Sequence, residues 1–182
     1  MSKLILSVFI ATSIDGFIAR EDASLDWLET ANSSVPEGED CGFHAFFSSV
    51  DILVMGRNTY EKVLSFGEWP YREKPVIVLS SRALEIPPDL RKMVEHSSET
   101  PEKLYKRLSE KGLNRLYIDG GDTIRRFLEA GLIHDLTITV IPVIIGKGLS
   151  LFGGLKRDVS LKHISSKIYD FGFIQSSFQV IQ

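Results

Sequence analysis

Apolar residues form short runs along most of the chain, and several of these runs lack a helical period. Residues 4–11 are almost continuously apolar, which is typical of a strand covered on both faces of a sheet. The same pattern predicts strands at 51–55, 76–79, 116–118 and 136–145, and a weaker one at 93–95. Pro142, inside the last long run, indicates a bulge or a sheet edge.

Helical patterns lie between these runs. Residues 40–50 carry a phenylalanine-rich stripe with the spacing of one helix face. Thr100-Pro101 predicts a helix start, because threonine caps helices and proline suits the first helical position. That helix should end at Gly112, since glycine favours the left-handed conformation after a helix. A short helix is also predicted at 58–64, and another follows the glycine pair at 120–121.

The order of elements predicts an α/β fold. Strands and helices alternate first, and residues 159–178 then alternate as in an antiparallel hairpin. This order predicts one domain, residues 1–182, with three α/β/α layers and a mixed, mostly parallel central sheet that ends in an antiparallel C-terminal hairpin. Residues 19–39 are polar and irregular, and so long a connection often acts as a lid or binding loop.

Composition limits the classes of function. Apolar residues make up 43% of the 182 residues, and the net charge of −3 gives no overall attraction to nucleic acid. Cys41 is the only cysteine, so an internal disulfide is excluded and a reducing cytoplasm is expected. The N-terminal apolar run is too short for a membrane span. Four scattered histidines do not have metal-site spacing, so no metal is expected.

Three segments that follow predicted strands are rich in glycine or hydroxyl residues. Glycine lets backbone N–H groups approach a phosphate, and a helix start favours an anion. Together the segments indicate a dinucleotide with an additional phosphate, NADP(H), whereas each alone is also typical of a structural turn. The G-x-G-x-x-G fingerprint of a Rossmann domain is absent. The candidate cofactor residues are Gly56, Arg57, Asn58, Thr59, Ser80, Ser81, Arg82, Gly120, Gly121, Asp122 and Thr123.

Five segments carry a resemblance to a known family. They are SIDGFIA (13–19), VMGRNTYEKV (54–63), VIVLSSR (76–82), YIDGGDTIRRFL (117–128) and LTITVIPVIIGKGLSLF (136–152). In this order they resemble the dihydrofolate reductase fold, and specifically the reductase domain of the bifunctional riboflavin-biosynthesis deaminase-reductase.

The resemblance implies NADPH as the cofactor and gives roles to the candidate residues. The turn at 56–59 would bind the pyrophosphate and 2′-phosphate, and residues 80–82 would contact the adenosine 2′-phosphate. The glycine pair at 120–121 would lie beneath the nicotinamide, joined by a cis peptide bond. Ala11 and Ile18 would flank the nicotinamide ring.

Two aspartates compete as the proton source. Asp40 resembles the buried acid of dihydrofolate reductases, and its spacing to the phenylalanine stripe would raise its pKa by burial. It could instead simply cap the helix. Asp15 belongs to a Ser-x-Asp-Gly element that recurs in the riboflavin branch, although a turn aspartate is equally expected. Thr139 resembles a threonine that binds the acid and the substrate, or it faces solvent.

The expected function is an NADPH-dependent reductase that acts on a small heterocycle, either a pyrimidine-ribosylamine or a pteridine. A dihydrofolate reductase proper and a non-catalytic nucleotide-binding protein are the alternatives. A phosphorylated ribosylamine would need a second basic cluster, for which Lys147 is one candidate. A homodimer is expected because the C-terminal hairpin is rich in aromatic residues that need covering.

Overall fold

The strands follow the apolar runs of the sequence. A computed structural model describes residues 3–181. The strands are β1 Ile5–Ser13, β2 Phe17–Ala19, β3 Ile52–Gly56, β4 Val76–Leu79, β5 Val94–Ser97, β6 Arg115–Asp119, β7 Asp135–Ile141, β8 Leu149–Ser150, β9 Leu161–Ile168 and β10 Ile174–Val180. The helices are α1 Asp26–Asn32, α2 Phe43–Ser48, α3 Arg57–Leu64, α4 Pro101–Glu110 and α5 Gly121–Glu129, with a 3₁₀ turn at Pro88–Leu90.

Eight strands form the central sheet in the order β5-β4-β3-β6-β1-β7-β10-β9. The six strands from β5 to β7 are parallel to one another. β10 runs antiparallel to β7, and β9 runs antiparallel to β10. β2 and β8 form a separate two-stranded sheet. The predicted mixed, mostly parallel sheet with an antiparallel C-terminal hairpin is therefore confirmed.

Alternate residues of the parallel strands enter two different cores. On β3, Val54 packs with α4 and α5 on one face, whereas Leu53 and Met55 pack near α2 and α3 on the other. Tyr117 of β6 likewise faces the α2 and α3 side. Because neighbouring side chains on a strand point to opposite faces, this division produces the three predicted layers.

The segment predicted to be irregular contains α1. Trp27 is its one buried residue, so the sequence shows too little apolar stripe to indicate a helix. Trp27 packs with Ile141, Tyr169 and Phe173 in a third apolar cluster near the carboxyl end of β7. Within residues 3–181, no helix has both the length and the apolar character needed to cross a membrane.

The C-terminal hairpin leaves isoleucines exposed rather than aromatics. Every residue of β9 is exposed, and Ile164 and Ile168 are 56% and 77% accessible. Tyr169 and Phe173, in contrast, are buried within the chain. The aromatic residues at the turn of the hairpin therefore need no partner, although β9, an edge strand with exposed isoleucines among lysine and serine residues, does remain open.

Candidate active site

Two adjoining cavities lie at the carboxyl ends of the parallel strands. The first, here called the glycine cavity, has a volume of about 980 Å³ and lies where β3, β4 and β6 end. All the predicted cofactor residues line it. They are Ala11, Ile18, Gly56, Arg57, Asn58, Thr59, Ser80, Ser81, Arg82, Gly120, Gly121, Asp122 and Thr123. Open α/β sheets bind ligands at this end, where strands lead into helices.

Reciprocal contacts between glycine and threonine bring two helix starts together. A Cβ atom on Gly56, before α3, would lie 2.8 Å from Oγ1 of Thr123 in α5. A Cβ atom on Gly120, before α5, would collide with Oγ1 of Thr59 in α3. Each helix thus places a first-turn threonine where the other has a glycine. The starts of α3 and α5 therefore line one cavity, and helix starts favour an anionic ligand.

The second glycine of the pair is also tightly enclosed. A Cβ atom on Gly121 would lie 3.0 Å from Cδ1 of Ile18 and 3.3 Å from the Ser150 carbonyl oxygen. Gly120 has a φ of +88°, a conformation that glycine adopts readily. No cis peptide bond occurs within residues 3–181, so the cis linkage implied for Gly120–Gly121 is not found.

Arginine side chains surround the glycine cavity. Arg57 donates from Nε to Glu61 at 2.6 Å and from a terminal nitrogen to the Ala83 carbonyl at 3.1 Å. Arg57 therefore links α3 to the loop after β4. In this loop the Ser80 hydroxyl donates to the Arg82 carbonyl and accepts from the Arg82 N–H. The cationic residues of the lining are Arg57, Lys62, Arg82, Arg125 and Arg126. The carboxyl residues are Glu61, Asp119 and Asp122.

Asp119, at the end of β6, is a titratable group whose role the sequence did not indicate. Burial raises its pKa from 3.8 to about 6, and the Gly120 N–H, which donates to it at 2.8 Å, offsets part of the rise. Burial also raises the pKa values of the neighbouring phenols Tyr117 and Tyr71, which stay neutral. Asp119 can therefore exchange a proton near neutral pH.

The second cavity, here called the aromatic cavity, has a volume of about 600 Å³. Its walls carry four aromatic rings, those of Phe9, Phe43, Tyr117 and Phe173. Phe9 and Phe43 pack edge to face with their centroids 5.7 Å apart. The two cavities share three lining residues, which are Ile10, Ala11 and Leu28. A ligand in one cavity would therefore meet a ligand in the other beside β1.

Thr139 faces the aromatic cavity and is buried, so it does not point to solvent. Its Oγ1 accepts a hydrogen bond of 2.9 Å from Nε2 of Gln175. The same nitrogen donates to the Cys41 carbonyl at 2.9 Å, which ties β10 to the segment before α2. Because Thr139 accepts from Gln175, its own hydroxyl proton can be donated to a ligand.

Asp40 lines the aromatic cavity but is not the buried acid that was predicted. Its carboxylate is exposed and accepts 2.8 Å hydrogen bonds from the N–H groups of Gly42 and His44. These bonds lower its pKa, so the predicted rise is wrong. The reason is that α2 begins at Phe43, which places Asp40 before the helix as a capping residue rather than on its apolar stripe.

Asp15 lines neither cavity. Its carboxylate accepts from the Ser13 hydroxyl at 2.6 Å and from the Gly146 N–H at 2.7 Å, and so holds the loop after β7. The Ser13 hydrogen bond is the main reason that its pKa is lowered. Lys147, in the same loop, also lies outside both linings.

Replacement of Gly120 by alanine tests the contact between the helix starts. Gly112 also has a positive φ, of +75°, but an added Cβ there would meet nothing within 4 Å. We expect Gly120→Ala to lower the free energy of unfolding by at least about 1 kcal/mol more than Gly112→Ala, because steric overlap adds to backbone strain. Urea denaturation measures both losses. Equal losses in the two variants would contradict the close approach of Gly120 to Thr59. Addition of Thr59→Ala should restore part of the stability that Gly120→Ala removes.

The raised pKa of Asp119 should make the free energy of unfolding depend on pH between about pH 4 and pH 6. Between about pH 4 and pH 6 the native carboxyl keeps a proton that the unfolded chain has lost, so stability falls as the pH rises. The free energy of unfolding should fall by at most about 3 kcal/mol, because the pKa is raised by about two units and each unit corresponds to about 1.4 kcal/mol. Asp119→Asn should remove this decline, as measured by urea denaturation across the window. A constant difference between the two proteins at every pH would contradict the buried carboxyl.

Comparisons with known proteins agree with this geometry. Residues 4–174 match the sequence model of the RibD C-terminal domain family. YwjB of Bacillus subtilis (strain 168), whose function is uncharacterised, is 35% identical over 159 residues, which are 85% of this chain and 86% of YwjB.

Solved structures show the same relationship. A protein from Shewanella sp. PV-4, provisionally assigned to riboflavin biosynthesis, superimposes with a TM-score of 0.91 at 41% identity, over 98% of this chain and 99% of that chain. The Thermotoga maritima diaminohydroxyphosphoribosylaminopyrimidine deaminase/5-amino-6-(5-phosphoribosylamino)uracil reductase shares the fold at 16% identity, with a TM-score of 0.73. That match covers 98% of this chain and 57% of the larger protein. The chain therefore belongs to the RibD C-terminal domain family, within the dihydrofolate reductase-like superfamily.

Proposed function

We propose that the protein is an NADPH-dependent reductase that transfers hydride to a C=N or C=O carbon of a planar heterocycle. The observation that carries this proposal is the pair of adjoining cavities. One combines glycine turns with five cationic side chains, the other is walled by aromatic rings, and they meet at Ile10, Ala11 and Leu28. A hydride donor and its acceptor must be in contact, and this arrangement provides for that contact.

The glycine cavity fits a phosphorylated dinucleotide. Thr123 and Thr59 fill the space that side chains at Gly56 and Gly120 would need, and the two helix starts so brought together line the cavity, where backbone N–H groups could bind phosphate. Ser81 and Arg82 are exposed at the rim, where a 2′-phosphate could accept charge-assisted hydrogen bonds. NADPH, when bound, supplies the hydride. Ala11 and Ile18 are apolar, which suits a nicotinamide ring near the junction of the cavities.

Asp119 is our preferred proton source. Its raised pKa keeps a fraction of the carboxyl groups protonated near neutral pH, whereas the pKa of Asp40 is lowered and its carboxylate is held by two amides. Asp119 lines the glycine cavity and not the aromatic cavity, so it would pass its proton through a water molecule at their junction to the nitrogen or oxygen next to the carbon that receives hydride, and would then regain a proton from water. The substrate gains two hydrogen atoms in total, and NADPH becomes NADP⁺. Thr139 would hold a polar group of the substrate.

Arg82→Ala tests the cofactor assignment. Loss of a charge-assisted hydrogen bond costs about 1.5–3 kcal/mol, so we expect NADPH affinity to fall about tenfold or more, while NADH affinity stays almost constant. Calorimetric titration measures both affinities. Arg91→Ala is the matched control, since Arg91 is exposed and outside both linings. An unchanged preference for NADPH over NADH in Arg82→Ala would contradict the phosphate site.

A measurement of NADPH oxidation distinguishes a reductase from a non-catalytic nucleotide-binding protein. NADPH oxidation should occur with a pteridine or a ribosylaminopyrimidine, and Asp119→Asn should lower kcat by about a hundredfold while NADPH affinity is retained. In the unaltered enzyme kcat/KM should fall as the pH rises through about 6, because only the protonated carboxyl donates and kcat/KM reports the pKa of the free enzyme. Cofactor binding without oxidation of NADPH on any such substrate would favour the non-catalytic alternative.

We also propose a homodimer through β9. This edge strand is exposed along its whole length, and two copies could pair about a two-fold axis and cover Ile164. Light scattering should give twice the 20.4 kDa of one chain. Ile164→Lys should yield monomers, whereas Ile144→Lys, at another exposed isoleucine, should not. A monomeric unaltered protein would contradict the proposal.

A further inference from the structure

From the charges around the aromatic cavity we infer that the substrate is a planar heterocycle without a phosphate group, either neutral or positively charged. This inference rests on the proposed reductase function, in which the aromatic cavity holds the hydride acceptor. It narrows the substrate class, because 5-amino-6-(5-phosphoribosylamino)uracil, named for the reductase of the Thermotoga maritima protein, carries a phosphate.

Positive charge is divided unequally between the two cavities. Five cationic and three carboxyl side chains line the glycine cavity, so positive charge is in excess where the proposed cofactor has three phosphate groups to place. Within residues 3–181, no lysine, arginine or histidine lines the aromatic cavity, whereas Glu39 and Asp40 do. Asp40 is held in its ionised form by two N–H groups. A phosphate dianion in this cavity would therefore lose its hydration and face carboxylates instead of cations.

Lys167, on β9, comes close to the wall of the aromatic cavity but does not supply the missing charge. Its Nζ lies 3.9 Å from Oε2 of Glu39 and 4.1 Å from the centre of the Tyr169 ring. The lysine is thus already paired with a carboxylate of the lining. The Lys167 side chain is 60% exposed, and an exposed ion pair contributes only about 0–1 kcal/mol, so a phosphate would gain little from it.

Two other cations lie on the far side of α2. Lys74 donates to the Val50 carbonyl and sits 5.0 Å from the centre of the Phe47 ring. Arg115 stacks on Phe46 at 5.2 Å and forms an ion pair with Asp135. Neither phenylalanine lines the aromatic cavity, so these cations are directed to a different part of the structure.

The uncharged part of the lining suits a flat ring. The rings of Phe9, Phe43, Tyr117 and Phe173 offer faces and edges for stacking. Thr139 offers a hydroxyl donor, which is oriented by the hydrogen bond that its oxygen accepts from Gln175. Amino groups on the substrate would be favoured near Glu39 and Asp40, since the two carboxylates attract positive charge and accept hydrogen bonds.

A matched pair of ligands tests the inference without turnover. The pair is 5-amino-6-(5-phosphoribosylamino)uracil and the same compound without its phosphate, titrated calorimetrically into the protein with and without saturating NADP⁺. We expect the dephosphorylated compound to bind at least tenfold more tightly, with a preference that shrinks as salt is added. Tighter binding of the phosphorylated compound, equal affinities, or no binding of either compound would overturn the inference.

Removal of the lining carboxylates supplies a second measurement. The double variant Glu39→Gln, Asp40→Asn should reduce the preference for the dephosphorylated compound at least threefold and leave NADP⁺ affinity unchanged. Glu37→Gln is the control, because Glu37 is exposed in the same segment but outside both linings. An unchanged preference in the double variant would contradict the role of the carboxylates. Binding of either compound without any oxidation of NADPH would count against the reductase proposal, whereas oxidation of NADPH together with tighter binding of the phosphorylated compound would count against this inference alone.

Discussion

The candidate site depends on one steric constraint, the reciprocal contact between two glycines and two threonines. Gly56 and Gly120 precede α3 and α5, and Thr123 and Thr59 fill the space that their side chains would need. Only this close approach allows two sets of helix N–H groups to face one cavity. The parallel strands β3 and β6 are neighbours in the sheet, so the sheet order brings these two helix starts side by side.

The same sheet order explains why two cavities with different chemistry meet. β1 lies between β6 and β7, so Ile10 and Ala11 border both the glycine turns on one side and Thr139 on the other. The cationic half is built from the ends of β3, β4 and β6. The aromatic half is built around β1 and β7, with α2 and the C-terminal hairpin completing it. A single strand is thus the boundary between the proposed cofactor and its substrate.

Local patterns predicted much of this arrangement. The bounds of β4 match the apolar run 76–79, and Thr100 accepts the expected capping hydrogen bond from the Lys103 N–H. The glycine and hydroxyl segments lie at the ends of buried strands, and all of their candidate residues line the glycine cavity, although the prediction did not include the lining residues Lys62, Asp119, Arg125 and Arg126. What the sequence could not predict depends on contacts between distant segments. α1 buries a single tryptophan, and the raised pKa of Asp119 comes from desolvation of a partly buried residue at the end of β6.

Asp40 and Asp119 illustrate why the acid could not be selected from spacing alone. The two residues have the same side chain, yet amide hydrogen bonds lower the pKa of one and burial raises the pKa of the other. A shift of three residues in the start of α2, from residue 40 to Phe43, is enough to move Asp40 from an apolar stripe to a position before the helix. Asp119, in contrast, is fixed at the end of a central strand, where its position cannot vary without moving the glycine pair. A titratable group required for proton transfer is more securely placed on a strand than before a short helix, and this consideration supports the proposal of Asp119 over Asp40.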